Sequence, residues 1–323
     1  MKTMLVPLDG SAVAEQVMPA VRQLAPILAA RVQLLLVITN EQKQHLIAHF
    51  AAAPSEAAGR YETDWHWERR AHTQLAHAAE AYLCGQAQAL RAAGLDVTFE
   101  VTSGAPADRI VDVAASETQA LIAMATHGYS GLRRWTLGSV ADKVVQATQT
   151  PILLVRAMVE VEQPAADAQS LQRILVPLDG SALAEQALPL AIELAVGAQA
   201  ELLLFHAVRP LVAPISELLP LHRPPPTIDF PAPGHAQALQ LLHRVTERWH
   251  PHELAMLPVV TSGEPAPAIV DMAAQEHADL IVMATHGYSG VRRWALGSVA
   301  DKVLHAATTP LLLVRAQSQE LER

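Results

Sequence analysis

The strongest constraint on this chain is an internal duplication. Residues 120–145 read ALIAMATHGYSGLRRWTLGSVADKVV, and residues 279–304 read DLIVMATHGYSGVRRWALGSVADKVL. In each copy an apolar run of strand length ends in a glycine-bearing loop. Gly138-Ser139 in one copy and Gly297-Ser298 in the other then open an amphipathic segment. Strand, glycine loop and helix start together aim backbone N–H groups at an anion. Two copies predict two ligand sites on one chain.

The beginnings of the halves are duplicated as well. Leu175–Ser181 repeats Leu5–Ser11 at an offset of 175 − 5 = 170, and Thr285–Gly290 repeats Thr126–Gly131 at 285 − 126 = 159. The first copy therefore holds 170 − 159 = 11 more residues in between, most of them expected in the irregular region after the second strand. Along the first copy the apolar spacing predicts a strand at Met4–Leu8 and a helix at Ala12–Ala29, imperfect because of Pro19 and Pro26. A strand follows at Val32–Ile38, then an irregular polar stretch from Asn40 to about Arg70. An Ala-rich helix, Ala71–Ala93, stops at Gly94. The remainder reads as a strand at Val97–Val101, a helix from Pro106 to about Thr118, a strand at Leu121–Ala125, a helix from Ser139 to about Thr148, and a strand at Ile152–Arg156. Short Val/Leu/Ile strands alternating with helices predict a parallel sheet covered on both faces. The expected fold class is α/β, as two tandem doubly wound five-stranded parallel-sheet domains. Their expected bounds are 1–156 and 173–316, joined by a polar linker at 157–172 and followed by a polar tail at 317–323. The proline-rich stretch Pro210–Pro233 is expected to be a surface lid or arm.

The chain has 23 Lys and Arg against 32 Asp and Glu, a formal charge of −9. That balance argues against a nucleic-acid or anionic-membrane partner. Aromatic residues make up only 4% of a chain that is 51% hydrophobic, so the cores are expected to be aliphatic. Cys84 is the only cysteine, which excludes an intrachain disulfide and a multi-cysteine metal site. No leader or bilayer-length apolar run is read, and a cytoplasmic location is expected.

Asp9 and Asp179 end the first strand of each copy, directly before Gly10-Ser11 and Gly180-Ser181. A carboxylate there can accept hydrogen bonds from a ligand's hydroxyls or base; the other reading is that it caps the first helix or closes a turn. Gly128, Gly131, Gly287 and Gly290 permit positive φ or close ligand approach, and Gly138 and Gly297 permit a tight turn into the last helix. Ser139 and Ser298 can cap that helix while meeting a phosphate, and the helix start adds partial positive charge. The competing reading is a glycine-rich turn that only links strand to helix. Arg133, Arg134, Arg292 and Arg293 either reach terminal phosphates or stand solvated. Trp135 and Trp294 are expected to anchor the loop, the other reading being that they stack on a base. Cys84 is expected to be inert packing, and His45 and His49, at i,i+4 spacing, lack an acidic third ligand nearby in sequence. Neither a Walker A loop nor a Gly-x-Gly-x-x-Gly fingerprint is present. Without a P-loop lysine, fast phosphoryl transfer has no evident engine.

Taken together, these motifs resemble the universal stress protein (UspA-like) family. The family frame Gly-x2-Gly-x9-Gly-[Ser/Thr] is matched by Ala125-Thr-His127-Gly128 with Gly138-Ser139, and by Ala284-Thr-His286-Gly287 with Gly297-Ser298. Ala125 and Ala284 stand where the family has its first glycine. Pro7-Leu-Asp9-Gly10-Ser and Pro177-Leu-Asp179-Gly180-Ser match the family's opening. The resemblance implies a Rossmann-like, adenine nucleotide alpha hydrolase-like sheet of strand order 3-2-1-4-5. It also implies ATP, ADP or AMP bound between strands 1 and 4, with Mg2+ for the triphosphate. Asp9 and Asp179 would contact the adenosine part, with the base near Val37 in one copy and Ala207 in the other. His127 and His286 lie in the loop, where they either touch phosphate or make structural hydrogen bonds. The resemblance further implies pairing of the two domains through Ile152–Val155 and Leu311–Val314, with association into homodimers left open. The implied function is that of a nucleotide-binding regulatory or signalling protein of the stress response, with at most slow ATP hydrolysis. The alternatives are an ATP-dependent enzyme of the related fold and an interaction module that binds no nucleotide.

Overall fold

The computed structural model describes residues 2–52, 64–126, 137–157, 170–209, 234–249, 254–286 and 296–316. The chain divides into two compact units, Met1–Gln169 and Ser170–Arg323. Each contains parallel strands flanked by helices, the α/β Rossmann-like arrangement.

In the first unit the strands are β1 (Lys2–Pro7), β2 (Ala30–Ile38), β3 (Val97–Ser103), β4 (Ala120–Thr126) and β5 (Ile152–Arg156). β1 pairs with both β2 and β4, β2 pairs with β3, and β4 pairs with β5, all in parallel. In the second unit they are β6 (Arg173–Pro177), β7 (Glu201–Val208), β8 (Met256–Ser262), β9 (Leu280–Ala284) and β10 (Leu311–Val314). There β6 pairs with β7 and β9, β7 with β8, and β9 with β10. The central strands are continuous apolar runs because both of their faces are covered. Met4, Leu5 and Val6 are buried, as are Ile174, Leu175 and Val176.

The helices depart from the sequence expectation in three places. The first is two helices rather than one: Ala12–Glu15, then Met18–Ile27, with Pro19 in the first turn of the second. Proline there sacrifices no intrahelical bond, so the chain restarts its helix at the residue expected to flaw it. The second copy does the same with a 3₁₀ turn at Ala184–Ala187 before the helix Leu188–Ala198.

Next, the stretch expected to be irregular contains the helix Asn40–Ala52. Thr39 and Gln42 form a reciprocal capping box at its start. Gln42 N donates to Thr39 Oγ1 at 3.1 Å, and Thr39 N donates to Gln42 Oε1 at 2.9 Å.

Third, the Ala-rich helix begins at Asp64 rather than Ala71 and runs to Ala92. The expected lid Pro210–Pro233, and 158–169 of the expected linker, lie outside the described residues. No helix among the described residues is long and apolar enough to cross a membrane.

Candidate functional site

In both units the strands part at the same place. β1 follows β2 in register to Pro7↔Leu35, but it follows β4 only to Leu5↔Ile122. β4 continues to Thr126 against β5. In the second unit β6 stays with β7 to Pro177↔Phe205 and leaves β9 after Leu175↔Ile281. A crevice therefore opens at the carboxyl ends of the two middle strands, where the connections reverse direction and open α/β sheets take their ligands.

Proline sits at each parting for a reason of direction. Thr3 N donates to Gln119 O before β4 at 2.9 Å, while Leu8 N donates to Leu35 O on β2 at 2.8 Å. Amides alternate sides along a parallel strand, so position 7 would aim its N–H at β4. Pro7 has no N–H to leave unsatisfied there. Pro177 stands likewise on the β9 side, because Leu178 N donates to Phe205 O on β7 at 2.8 Å.

The first lip of each crevice is the Asp-Gly-Ser turn. Asp9 Oδ1 accepts from Ser11 N at 2.9 Å, and Asp179 Oδ1 accepts from Ser181 N at 2.9 Å. Ser11 Oγ and Ser181 Oγ in turn accept from Ala14 N and Ala184 N, each at 3.1 Å. The turn-closing role weighed for both aspartates is therefore real, and the serines cap the segments that follow. Both carboxylates remain exposed at the sheet edge. Gly10 and Gly180 hold φ of 84° and 86°, a left-handed backbone that explains glycine at both positions.

The second lip is the end of β4 or β9 with the helix behind it. Those helices are Ser139–Ala147 and Ser298–Ala306. Their N-caps are Gly138 and Gly297, with no side-chain cap bond. Ser139 and Ser298 thus do not cap; they are exposed first-turn residues, a correction to the expected role. The first intrahelical donors are Asp142 N to Gly138 O and Asp301 N to Gly297 O, both at 2.9 Å. The amides of the three residues before each aspartate come ahead of the helix's own ladder and face its N-terminal end.

Gly138 has φ of −59° and Gly297 of −63°, so neither is glycine for the sake of a left-handed turn. At Gly297 the reason is proximity: a Cβ would lie 2.8 Å from the Thr285 carbonyl oxygen, the atom that accepts the Gly297 N–H at 2.8 Å. Thr285 is buried, and its Oγ1 lies 3.2 Å from His286 Nδ1, which gives His286 a structural contact. Ala284 is buried and Ala125 half-buried on the same strand ends. Beside them Arg156, in register with Thr126, and Arg315 are held below the ordinary arginine pKa by burial.

Val37 and Ala207 are the penultimate residues of β2 and β7, in register with Thr102 and Thr261. Here the copies diverge. Arg109 donates to Thr102 Oγ1 at 3.3 Å, with its stem over Gly104. Ala268 occupies that position in the second copy, and Thr261 Oγ1 is buried without a partner. His206 stands where the first copy has Leu36, and its Nδ1 lies 2.8 Å from Leu178 O. Sequence reading passed over His206 because the strand pattern marked its position as core.

Near the first turn, Glu15 Oε1 accepts from Tyr82 Oη at 2.8 Å and from Gln86 Nε2 at 2.9 Å. Burial, then the Glu15 hydrogen bond and charge, then the Asp9 charge push the Tyr82 hydroxyl above its ordinary pKa. In the second copy Glu185 instead pairs with Arg248 at 2.8 Å.

Pro7, Asp9, Gly10, Val37, Ala125, Gly138 and Ser139 thus lie at the carboxyl ends of the first unit's strands. Pro177, Asp179, Gly180, Ala207, Ala284, His286, Gly297 and Ser298 lie at those of the second unit's strands. His127, Gly128, Gly131, Gly287 and Gly290 lie outside the described residues, as do Arg133, Arg134, Arg292, Arg293, Trp135 and Trp294.

A family model described as the Universal stress protein family matches residues 1–156 and 170–315. The chain is 28% identical over 224 residues to Universal stress protein Rv2005c of Mycobacterium tuberculosis, covering 68% of this chain and 70% of that one. It is 33% identical over 145 residues to Universal stress protein YxiE of Bacillus subtilis, covering 44% of this chain and 98% of that one. In fold it is similar to the crystal structure of a universal stress protein from Archaeoglobus fulgidus. The TM-score is 0.68 at 22% identity, over 97% of this chain and 98% of that one.

Proposed function

The chain belongs to the universal stress protein family, and from that premise we propose that each half binds an adenine nucleotide. In this reading the protein is a tandem pair of nucleotide-binding domains with a regulatory role in the stress response and at most slow ATP hydrolysis. One repeated observation carries it. In both copies the middle strands part after the same rung, with an exposed aspartate on one lip and a helix start without a side-chain cap on the other.

The parts suit such a ligand chemically. Asp9 and Asp179 hold the turn with Oδ1, and a carboxylate has lone pairs on both oxygens, so each can also accept from ribose hydroxyls. The first-turn amides at Ser139 and Ser298, with the helix dipole behind them, suit phosphate oxygens, an effect of about 0.3–1 kcal/mol per helix end. Backbone groups at the ends of β2 and β7 lie where the base would rest. ATP would bring Mg2+ with its phosphates, and AMP or ADP fit the same description.

Isothermal titration of nucleotide-stripped protein with ATP and Mg2+ tests this reading. Saturable binding of up to two nucleotides per chain is expected, and the absence of heat or uptake overturns it. Turnover is expected to fall well below the ~1–10³ s⁻¹ of ordinary enzymes. A rate of order 1 s⁻¹, lost in a Ser139→Ala, Ser298→Ala double variant, would make the protein an enzyme instead.

A further inference from the structure

The geometry points to His206 as a specificity-determining residue of the second crevice, accepting a hydrogen bond from the nucleoside; the inference rests on the nucleotide reading above. His206 lies on β7, one residue before Ala207, with its Nδ1 2.8 Å from the carbonyl oxygen of Leu178. Leu178 directly precedes Asp179, so the ring is pinned to the strand end from which the crevice's first lip springs. A carbonyl oxygen only accepts, so Nδ1 carries the proton and donates. In the neutral ring Nε2 is then an acceptor. The residue is half-buried, unlike the fully buried Leu203, Leu204 and Phe205 that precede it on β7.

The first copy has no such group. At the 170-residue offset the position is Leu36, a buried hydrocarbon, and the Leu8 carbonyl has no ring beside it from that position. The two crevices share their Asp-Gly-Ser turns and Gly-Ser helix starts, yet at the end of the second strand one offers a nitrogen acceptor and the other methyl groups. A fixed acceptor at this edge suits a hydrogen-bond donor on the nucleoside, either an exocyclic amine of the base or a ribose hydroxyl. The second crevice would therefore discriminate among nucleosides at a contact to which the first is indifferent.

The substitution His206→Asn separates this role from simple capping. The Asn amide N–H takes the place of Nδ1–H against Leu178 O, while nothing replaces Nε2. Full-length, nucleotide-stripped protein is titrated calorimetrically at pH 7.5 with ATP, purine riboside triphosphate (no 6-amino group) and 2′-deoxy-ATP. With His206→Asn, the melting temperature should stay within about 2 °C of the unmodified protein. One ATP affinity should fall about five- to tenfold and the other stay unchanged, a loss of the size expected for one hydrogen bond. On the unmodified protein, the analogue lacking the relevant donor should lose a similar factor at that site. On His206→Asn the same analogue should lose nothing further, which tells amine from hydroxyl.

ATP uptake with both affinities untouched by His206→Asn overturns the role of His206 alone. So do analogue losses that are equal in the two proteins. Failure of the unmodified protein to take up ATP overturns the nucleotide reading instead. Should His206→Asn melt early, nitrogen NMR of the histidine-labelled unmodified protein reads the same contact. The Nε2 resonance of the Nδ1-protonated ring must move on saturation with ATP, and an unmoved resonance counts against the proposal.

Discussion

At the scale of single residues, glycine serves two purposes here, and they should respond differently to one added methyl group. At Gly10 the backbone is left-handed and a Cβ meets nothing within 4 Å. Gly10→Ala should therefore cost only the backbone term, about 1–2 kcal/mol. At Gly297 the backbone angle is ordinary but a Cβ would collide with the Thr285 carbonyl. Gly297→Ala must push the helix start off the strand, an overpacking cost of about 1–3 kcal/mol. It should also weaken nucleotide binding at the second crevice. Urea unfolding and ATP titration of the two variants check this: Gly10→Ala should lose stability with its helix start intact, while Gly297→Ala should lose both. Both glycines were legible in the sequence as special, but the reason for Gly297 was not. A close approach between residues 285 and 297 exists only once the strand and helix are stacked.

At the scale of elements, the capping serines trade places with the serines that look like caps. Ser11 and Ser181 accept from the amides three residues on, so alanine at either should cost about 1 kcal/mol. Ser139 and Ser298 follow glycine N-caps that make no side-chain cap bond, so alanine there should change stability by less than about 0.5 kcal/mol while lowering ATP affinity. Thermal melts with and without ATP separate the two pairs, and a destabilised Ser298→Ala apoprotein would contradict the assignment. The central strand runs were readable because they are buried on both faces and carry mostly Val, Leu, Ile, Met and Ala, whereas the edge strand Val97–Ser103 is half-exposed and showed only as an alternating run. The helix Asn40–Ala52 was not readable by apolar spacing, since its first six residues are polar and its apolar residues crowd into the second half instead of recurring every three or four. Its signal was local: Thr39-x-x-Gln42, the capping box that the side chains form. His206 was hidden for the opposite reason, as one polar residue inside a run that otherwise looks like core.

At the scale of the whole molecule, duplication made the architecture legible while concealing the differences between the copies. The repeated Asp-Gly-Ser turn and Gly-Ser helix start lie in the motifs that both halves share and were legible there. The differences Leu36 against His206 and Arg109 against Ala268 lie outside those shared motifs and were hidden by them. The prolines at the two partings belong to the shared part, and they bear on why the crevices stay open. Nothing in the register itself forbids β1 and β4 from zipping further, and each new rung would add a backbone hydrogen bond. Pro7 and Pro177 act as zipper stops, each lacking the single hydrogen that the next rung requires. Replacing both with alanine should let the ladders advance, giving a chain that resists urea at least as well and binds ATP more weakly; an undiminished ATP affinity would show that the clefts are wedged apart by something else. On this view an empty cleft is an unfinished sheet, kept unfinished by two missing hydrogens.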